Sequence, residues 1–191
     1  MKKLYPIIFC IIVITACEGP EPRRPVSQKS GSFLRESIDR NKQLLAQEEK
    51  LFKKWMAVDT TKKYLRSPNG YWYFYEAQDT SQTKLPMEGD IVLITYNIRT
   101  LQNDTVYSEA EIGNINFKID KEEYFPGLRT GVKLLKKGEK ATFLFPSSLA
   151  YGYPGDKNKI GTNEPLVASI TLLDILTLKQ DSLPKAQTPQ Q

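Results

Sequence analysis

The chain has no histidine and only two cysteines, Cys10 and Cys17, both near its start. The missing histidine excludes histidine-based catalytic triads, histidine-containing zinc sites and Cys-x-x-Cys-His haem attachment. Beyond Cys17 there is no thiol, so the folded part has neither a disulfide nor a cysteine nucleophile. Charge is also in short supply as a signal: 27 basic and 22 acidic side chains leave a formal net charge of +5. Setting aside Lys2 and Lys3 in the N-terminal run reduces the surplus to three, and no basic stripe with interleaved aromatics is present. Nucleic acid is therefore not an expected partner. No apolar run approaches the ~20 residues needed to span a bilayer.

What the N-terminus does contain is a short export pattern. Met1-Lys2-Lys3 is a positive start, and Leu4 to Ala16 is apolar apart from Pro6 and Thr15. Ile14-Thr15-Ala16-Cys17 matches the bacterial lipobox, in which small residues precede a cysteine that is acylated and becomes the first residue of the mature chain. Residues 1–16 are thus expected to be a lipoprotein signal peptide and Cys17 the lipidation site. An uncleaved anchor with an incidental cysteine is the alternative. The expected location is the bacterial cell envelope, with the lipid membrane as a partner through acylated Cys17 and the protein facing the periplasm from the outer membrane.

Residues 17–32, rich in Pro, Ser and charge, form a flexible tether with no means of building a core. Residues 33–66 read as a helical segment. Phe33, Leu34, Ile38, Leu45, Phe52, Trp55 and Met56 recur near helical spacing among Arg, Glu, Lys and Gln. The spacing predicts a helix from about Phe33 to Ala57, with a possible break near Asn41, and a second short helical turn over 60–69 ending at Ser67-Pro68-Asn69-Gly70. The apolar stripe of 33–57 must be covered, either by a second copy in a homodimer or by the domain that follows.

From residue 70 the period changes. Tyr71 to Glu76, Ile91 to Thr100, Val106-Tyr107, Ile115 to Ile119, Ala141 to Phe145 and Leu166 to Leu178 read as strands, with a hairpin at Asn103-Asp104. Phe125, Leu128, Val132 and Leu135 fall at helical spacing behind Pro126, a favoured first helical residue, and Gly138 suits the closing cap. One helix among five or six strands is an α+β pattern. Residues 179–191 form a polar tail, read as disordered.

Several motifs in this region occur in a recognisable order. They are Gly89-Asp90 with Tyr96; Tyr124-Phe125-Pro126-Gly127-Leu128 followed by Gly131-Val132 and Lys137-Gly138-Glu139; Leu149-Ala150-Tyr151-Gly152; and Ile160 with Asn163-Glu164-Pro165-Leu166-Val167. In this order and spacing residues 70–178 resemble the FKBP-type peptidyl-prolyl isomerases. The resemblance implies a twisted antiparallel sheet wrapped around a short helix, here preceded by an amphipathic N-terminal helix. The lipobox, N-terminal helix and cysteine-free domain together also resemble the gliding motility-associated peptidyl-prolyl isomerase lipoproteins.

Carried over from that family, the catalytic residues are Tyr96, Phe125 and Tyr151. Tyr151 stands where a hydroxyl donates to a substrate carbonyl, and Phe125 where a backbone N–H is a second donor. Val106, Tyr107, Ile115, Tyr124, Leu128, Ile160 and Ala168 would line the substrate bowl. No metal or other cofactor is implied. The chain departs from the family where it has Val106-Tyr107 in place of a Phe-Asp pair, Ile115 in place of an aromatic, Leu128 in place of a Trp floor and Ala168 in place of Phe. These changes imply a bowl closed differently and a missing acceptor at the rim. The resemblance implies rotamase activity on proline-containing envelope clients, assisting their folding, with a binding or chaperone module of weak or no activity as the alternative and a structural subunit of an envelope machine as a third reading.

Overall fold

The computed structural model describes residues 30–176. The expected signal peptide, Cys17, tether residues 17–29 and tail 179–191 lie outside them, while residues 30–32, expected to be tether, already belong to the first helix. Two compact units divide within the first helix, at Asp39 and Arg40. Of the first, residues 30–39 are described, all helical, with Phe33, Leu34 and Ile38 exposed.

Helix α1 spans Ser30–Val58 without interruption, so the break considered near Asn41 does not occur. The second helical turn expected over 60–69 does not form either. There the chain makes a two-residue strand β1 (Leu65–Arg66), paired with β2 (Trp72–Ala77) through a Ser67–Gly70 turn. Pairing with the aromatic, β-prone run of β2 decides this segment, since a strand that short has no pattern of its own.

The remaining elements are β3 (Ile91–Arg99), β4 (Thr105–Tyr107), α2 (Glu109–Ile112), β5 (Ile115–Lys118), α3 (Pro126–Gly131) continued by a 3-10 turn at Val132–Leu134, β6 (Lys140–Phe145), a 3-10 turn at Ser147–Leu149, and β7 (Leu166–Leu176). The seven strands form one antiparallel sheet in the order β1-β2-β6-β7-β3-β4, with β5 pairing the other end of β3. This is the α+β fold expected, with α2 as an addition. Its Ser108-Glu109-Ala110-Glu111 start is a capping box, in which Ser108 accepts the Glu111 N–H and Glu111 accepts that of Ser108.

Alternation along β3 divides the sheet's faces. Val92, Ile94, Tyr96 and Ile98 are buried on the inner face, together with Ala141, Phe143 and Phe145 of β6 and Ala168, Ile170 and Leu172 of β7. Helix α3 seats Leu128 and Val132 in this core. Its glycines permit close approach. A Cβ on Gly127 would stand 2.6 Å from the Phe145 ring and one on Gly131 would stand 3.2 Å from the Phe143 ring. Gly138 is not the cap of this helix, which has already ended. It lies in the tight turn closed by Glu139 N–H on Lys136 C=O, with φ +85°.

Phe74, Leu144 and Val167 are buried outside that core, at positions alternating with its members, and Phe52 of α1 is fully buried as well. Trp55, Tyr64 and Phe74 form a row of edge-to-face rings, and Arg66 pairs with Glu49 at 2.6 Å. The C-terminal part of α1 therefore lies on the outer face of the sheet. Burying a side chain of the size of Phe52 contributes ~2 to 3 kcal/mol.

Candidate active site

Three segments meet on the inner side. Strand β3 supplies Tyr96, the segment opening α3 supplies Tyr124 and Phe125, and the loop from β6 to β7 supplies Tyr151 and Ile160. Phe125 is in extended conformation, as a residue before proline must be, and its carbonyl accepts the N–H groups of Leu128 and Arg129 to start the helix. Its ring is the hub of the site. It lies 6.4 Å from Tyr96, 5.2 Å from Tyr151 and 5.7 Å from Phe145, centroid to centroid. Tyr124 packs on Phe117 at 4.8 Å.

The three residues expected to carry catalysis are thus brought together. Of the expected bowl residues, Val106, Tyr107, Ile115 and Tyr124 are half-buried and pack, with Tyr151, against the core to which buried Ile160 belongs. Leu128 and Ala168 have essentially no exposed surface. Ala168 pairs with Ile98 of β3 and Phe143 of β6, and both it and Leu128 are core residues with no surface open to a substrate. Sequence reading did not identify Phe117 and Phe145, which supply rings behind Tyr124 and Phe125.

The electrostatics suit a neutral, hydrogen-bonding site. Burial pushes the Tyr151 phenol up to about 12 and raises Tyr96 further, with the phenols of Tyr151, Tyr124 and Tyr107 adding to the effect on Tyr96. Both hydroxyls therefore stay protonated and able to donate at any physiological pH. No cluster of His, Cys, Asp or Glu among the described residues could hold a metal ion.

A carboxylate from the loop between β6 and β7 meets Tyr107. Tyr107 donates its hydroxyl to Asp156 at 2.5 Å and accepts from the Asn158 amide at 3.0 Å. Asp156 also accepts the N–H groups of Asn158 and Ile160, both at 2.8 Å. Burial raises the Asp156 carboxyl, but these donors outweigh it and leave the group below its ordinary range. Lys159 reaches across the mouth to Glu111 at 2.6 Å and to the Val106 carbonyl at 3.2 Å, passing 4.7 Å over the Tyr107 ring.

Residues 82–173 match the family model of the FKBP-type peptidyl-prolyl cis-trans isomerases. A probable FKBP-type peptidyl-prolyl cis-trans isomerase of Neisseria meningitidis is 38% identical over 103 residues, 53% of this chain and 37% of that one. The FKBP-type isomerase FkpA of Escherichia coli K12 is 31% identical over 116 residues, 59% of this chain and 41% of that one. The match thus spans roughly two fifths of the length of these relatives. Among solved structures, a peptidyl-prolyl isomerase of Pseudomonas syringae aligns with TM-score 0.55 and 20% identity over 71% of this chain and 96% of that one. The crystal structure of FkpA from Escherichia coli aligns with TM-score 0.57 and 22% identity over 92% and 83%. At those identities the structures speak to the fold. The sequence matches place residues 82–173 in the FKBP-type peptidyl-prolyl cis-trans isomerase family.

Proposed function

We propose that the protein is a peptidyl-prolyl cis-trans isomerase acting on proline-containing polypeptides in the bacterial cell envelope. The observation that supports the reading is the Phe125 ring, which packs against both Tyr96 and Tyr151. Rotation about an X-Pro bond faces a barrier of ~18–20 kcal/mol because twisting the amide ends its resonance. Neither a nucleophile nor an acid is needed. Desolvating the amide, holding its neighbours and offering donors that fit the twisted form lower the barrier.

In this site the prolyl ring would rest over Phe125 and Ile160, supported from below by Leu128. The Tyr151 hydroxyl and the Phe125 N–H would meet the substrate carbonyls. The residue before proline would sit against Ile115 and Tyr124, where burying a large apolar side chain contributes ~1 to 3 kcal/mol. A protease-coupled or NMR-exchange assay with Leu or Phe before Pro tests this. Acceleration is expected, and a folded protein that leaves the uncatalysed rate unchanged rejects the reading.

A second reading, client holding, has its own support. Trp55, Tyr64, Phe74 and Leu101 line an open groove of about 1110 Å³ on the outer face. The Tyr64 hydroxyl and Arg99 Nε, both lining residues, are buried without a protein partner. Suppression of aggregation by the wild-type protein, lost on Trp55→Ala with isomerase activity intact, favours this role beside catalysis. Exposed Phe33, Leu34 and Ile38, with Leu45, leave a homodimer through residues 33–57 as part of the proposal. Sedimentation equilibrium tests it, and a monomer at high micromolar concentration ends it.

Acylation of Cys17 rests on the lipobox. Cys17→Ser should release the protein from the membrane fraction. No helix among the described residues is long and apolar enough to cross a membrane. Clients in gliding motility follow from the resemblance of organisation, and undiminished colony spreading in a deletion strain would remove them.

A further inference from the structure

Glu48 is a carboxylate in the middle of α1, yet it is only 3% exposed. Its Oε2 accepts the backbone N–H of Ser147 at 3.1 Å, across 99 residues of chain, and its Oε1 is buried without a protein partner. Ser147 is itself buried and opens the 3-10 turn that runs into Ala150-Tyr151-Gly152. The Ser147 carbonyl accepts the N–H groups of Ala150 at 3.0 Å and Gly152 at 2.9 Å, and the Ala150 N–H is shared with the Pro146 carbonyl at 3.1 Å, so both neighbours of Tyr151 are tied to the peptide units on either side of Ser147. On its other side the turn rests on α3: a Cβ at Gly127 would lie 2.8 Å from the Leu149 carbonyl oxygen, two residues from Phe125. The turn is thus held between α1 and the helix that carries the bowl's hub.

We propose that Glu48 is a positioning residue for the isomerase site: by holding the Ser147 N–H it fixes the turn that presents Tyr151, and so makes turnover depend on the docked N-terminal helix. The inference rests on the isomerase reading above. Anchoring the helix does not require a buried carboxylate. Phe52 is fully buried in the next turn of α1, and Glu49 pairs with Arg66. A buried ionisable group costs more than an apolar residue of the same size unless its hydrogen bond serves a purpose.

The test uses the full chain and three variants. Glu48→Gln keeps an acceptor for Ser147. Glu48→Met keeps the length and removes the acceptor, leaving the Ser147 N–H unpaired. Adding Ser147→Pro to Glu48→Met removes that orphaned donor; Pro is tolerated there because Ser147 is the first residue of the turn and Pro146 is already extended, with φ −54° and ψ 151°. Glu48→Met is expected to lower kcat about threefold to tenfold at unchanged KM, the worth of one positioning hydrogen bond. Glu48→Gln should retain wild-type kcat. The double variant should recover thermal stability and keep the low kcat, which separates positioning from stability.

Wild-type kcat in the double variant would overturn the proposal. Should the wild type show no isomerase activity, the isomerase reading fails and amide exchange decides the coupling. Faster exchange at Ala150 and Gly152 in the double variant supports it, and unchanged exchange there overturns it. If Glu48→Met does not fold, the double variant against Glu48→Gln gives the same comparison.

Discussion

The hydroxyl of Tyr107 donates to the Asp156 carboxylate at 2.5 Å, joining β4 to the loop that carries Tyr151. Residues 49 apart in sequence thereby close one side of the bowl. The rim has aliphatic Val106 and Ile115 where related enzymes have rings. A polar latch helps hold the mouth instead, built from Tyr107, Asp156 and the Lys159–Glu111 pair.

Tyr107→Phe should therefore loosen the mouth with little effect on the fold. Asp156 keeps the N–H groups of Asn158 and Ile160, so the cost in stability should stay within ~1 kcal/mol. Peptide KM should rise several-fold with kcat nearly unchanged, because the latch holds the wall and touches no reacting atom. Steady-state kinetics on one tetrapeptide checks this, and a loss confined to kcat would show that Tyr107 acts elsewhere.

Tyr151→Phe removes one donor and adds no bulk. If that hydroxyl fits the twisted amide better than the planar one, kcat/KM should fall about threefold to thirtyfold, with unchanged circular dichroism. The phenol, pushed up to about 12, is protonated throughout the working range. The wild-type kcat/KM should accordingly be flat from pH 7 to 9. A titration step in that window that disappears in the Phe variant would mean that the hydroxyl ionises and has been misread.

The sequence made the sheet and its central helix legible because their signals are local. Ile91 to Arg99 is rich in β-branched and aromatic residues, and Pro126 after Phe125 announces a helix start. Tyr96, Phe125 and Tyr151 could be named because the motifs around them persist where the rim residues differ. The capping box at Ser108 is equally local, but it opens a helix of only four residues with no apolar period to mark it. Glu48 could not be found this way: on an amphipathic helix it is indistinguishable from exposed neighbours such as Lys50, and only the arrival of Ser147 makes it a buried acceptor. Asp156 likewise depends on a partner from another strand. The same holds for the outer-face network in which Glu76 accepts from Thr142 and Ser169, while Arg99 donates to Ser169 at 3.1 Å.

Gly127→Ala should be among the most damaging single-methyl changes in the domain. Its Cβ would stand 2.6 Å from Phe145 Cδ1 and 2.8 Å from the Leu149 carbonyl oxygen, and the second of these is backbone. Neither the helix nor the turn can yield without moving Phe125 or Tyr151. A loss of ~1 to 3 kcal/mol in urea unfolding is expected, with activity reduced even where the protein remains folded. Stability equal to wild type would mean that α3 and the Ser147–Leu149 turn can separate freely.

Glu48 also makes a prediction about pH. Burial raises its pKa, and the hydrogen bonds from Ser147 only partly offset this. A carboxyl raised in the folded state takes up its proton at higher pH than in the unfolded chain, so across that window the native state binds more protons and gains stability as pH falls. Above the folded pKa the ionised, buried group opposes folding in full. Glu48→Gln removes this term and keeps an acceptor for Ser147, so the variant should be the more stable protein near pH 7.5, with its advantage shrinking as pH falls toward 4.5. Carboxyls held low in the fold, such as Asp156 and Asp174, act in the opposite sense, their stabilisation being lost on acidification, but they are common to both proteins and cancel in the difference. Urea midpoints of the two proteins between pH 4.5 and 7.5 measure it. A difference that is constant with pH, or that grows on acidification, would show that Glu48 does not ionise differently in the folded and unfolded chains.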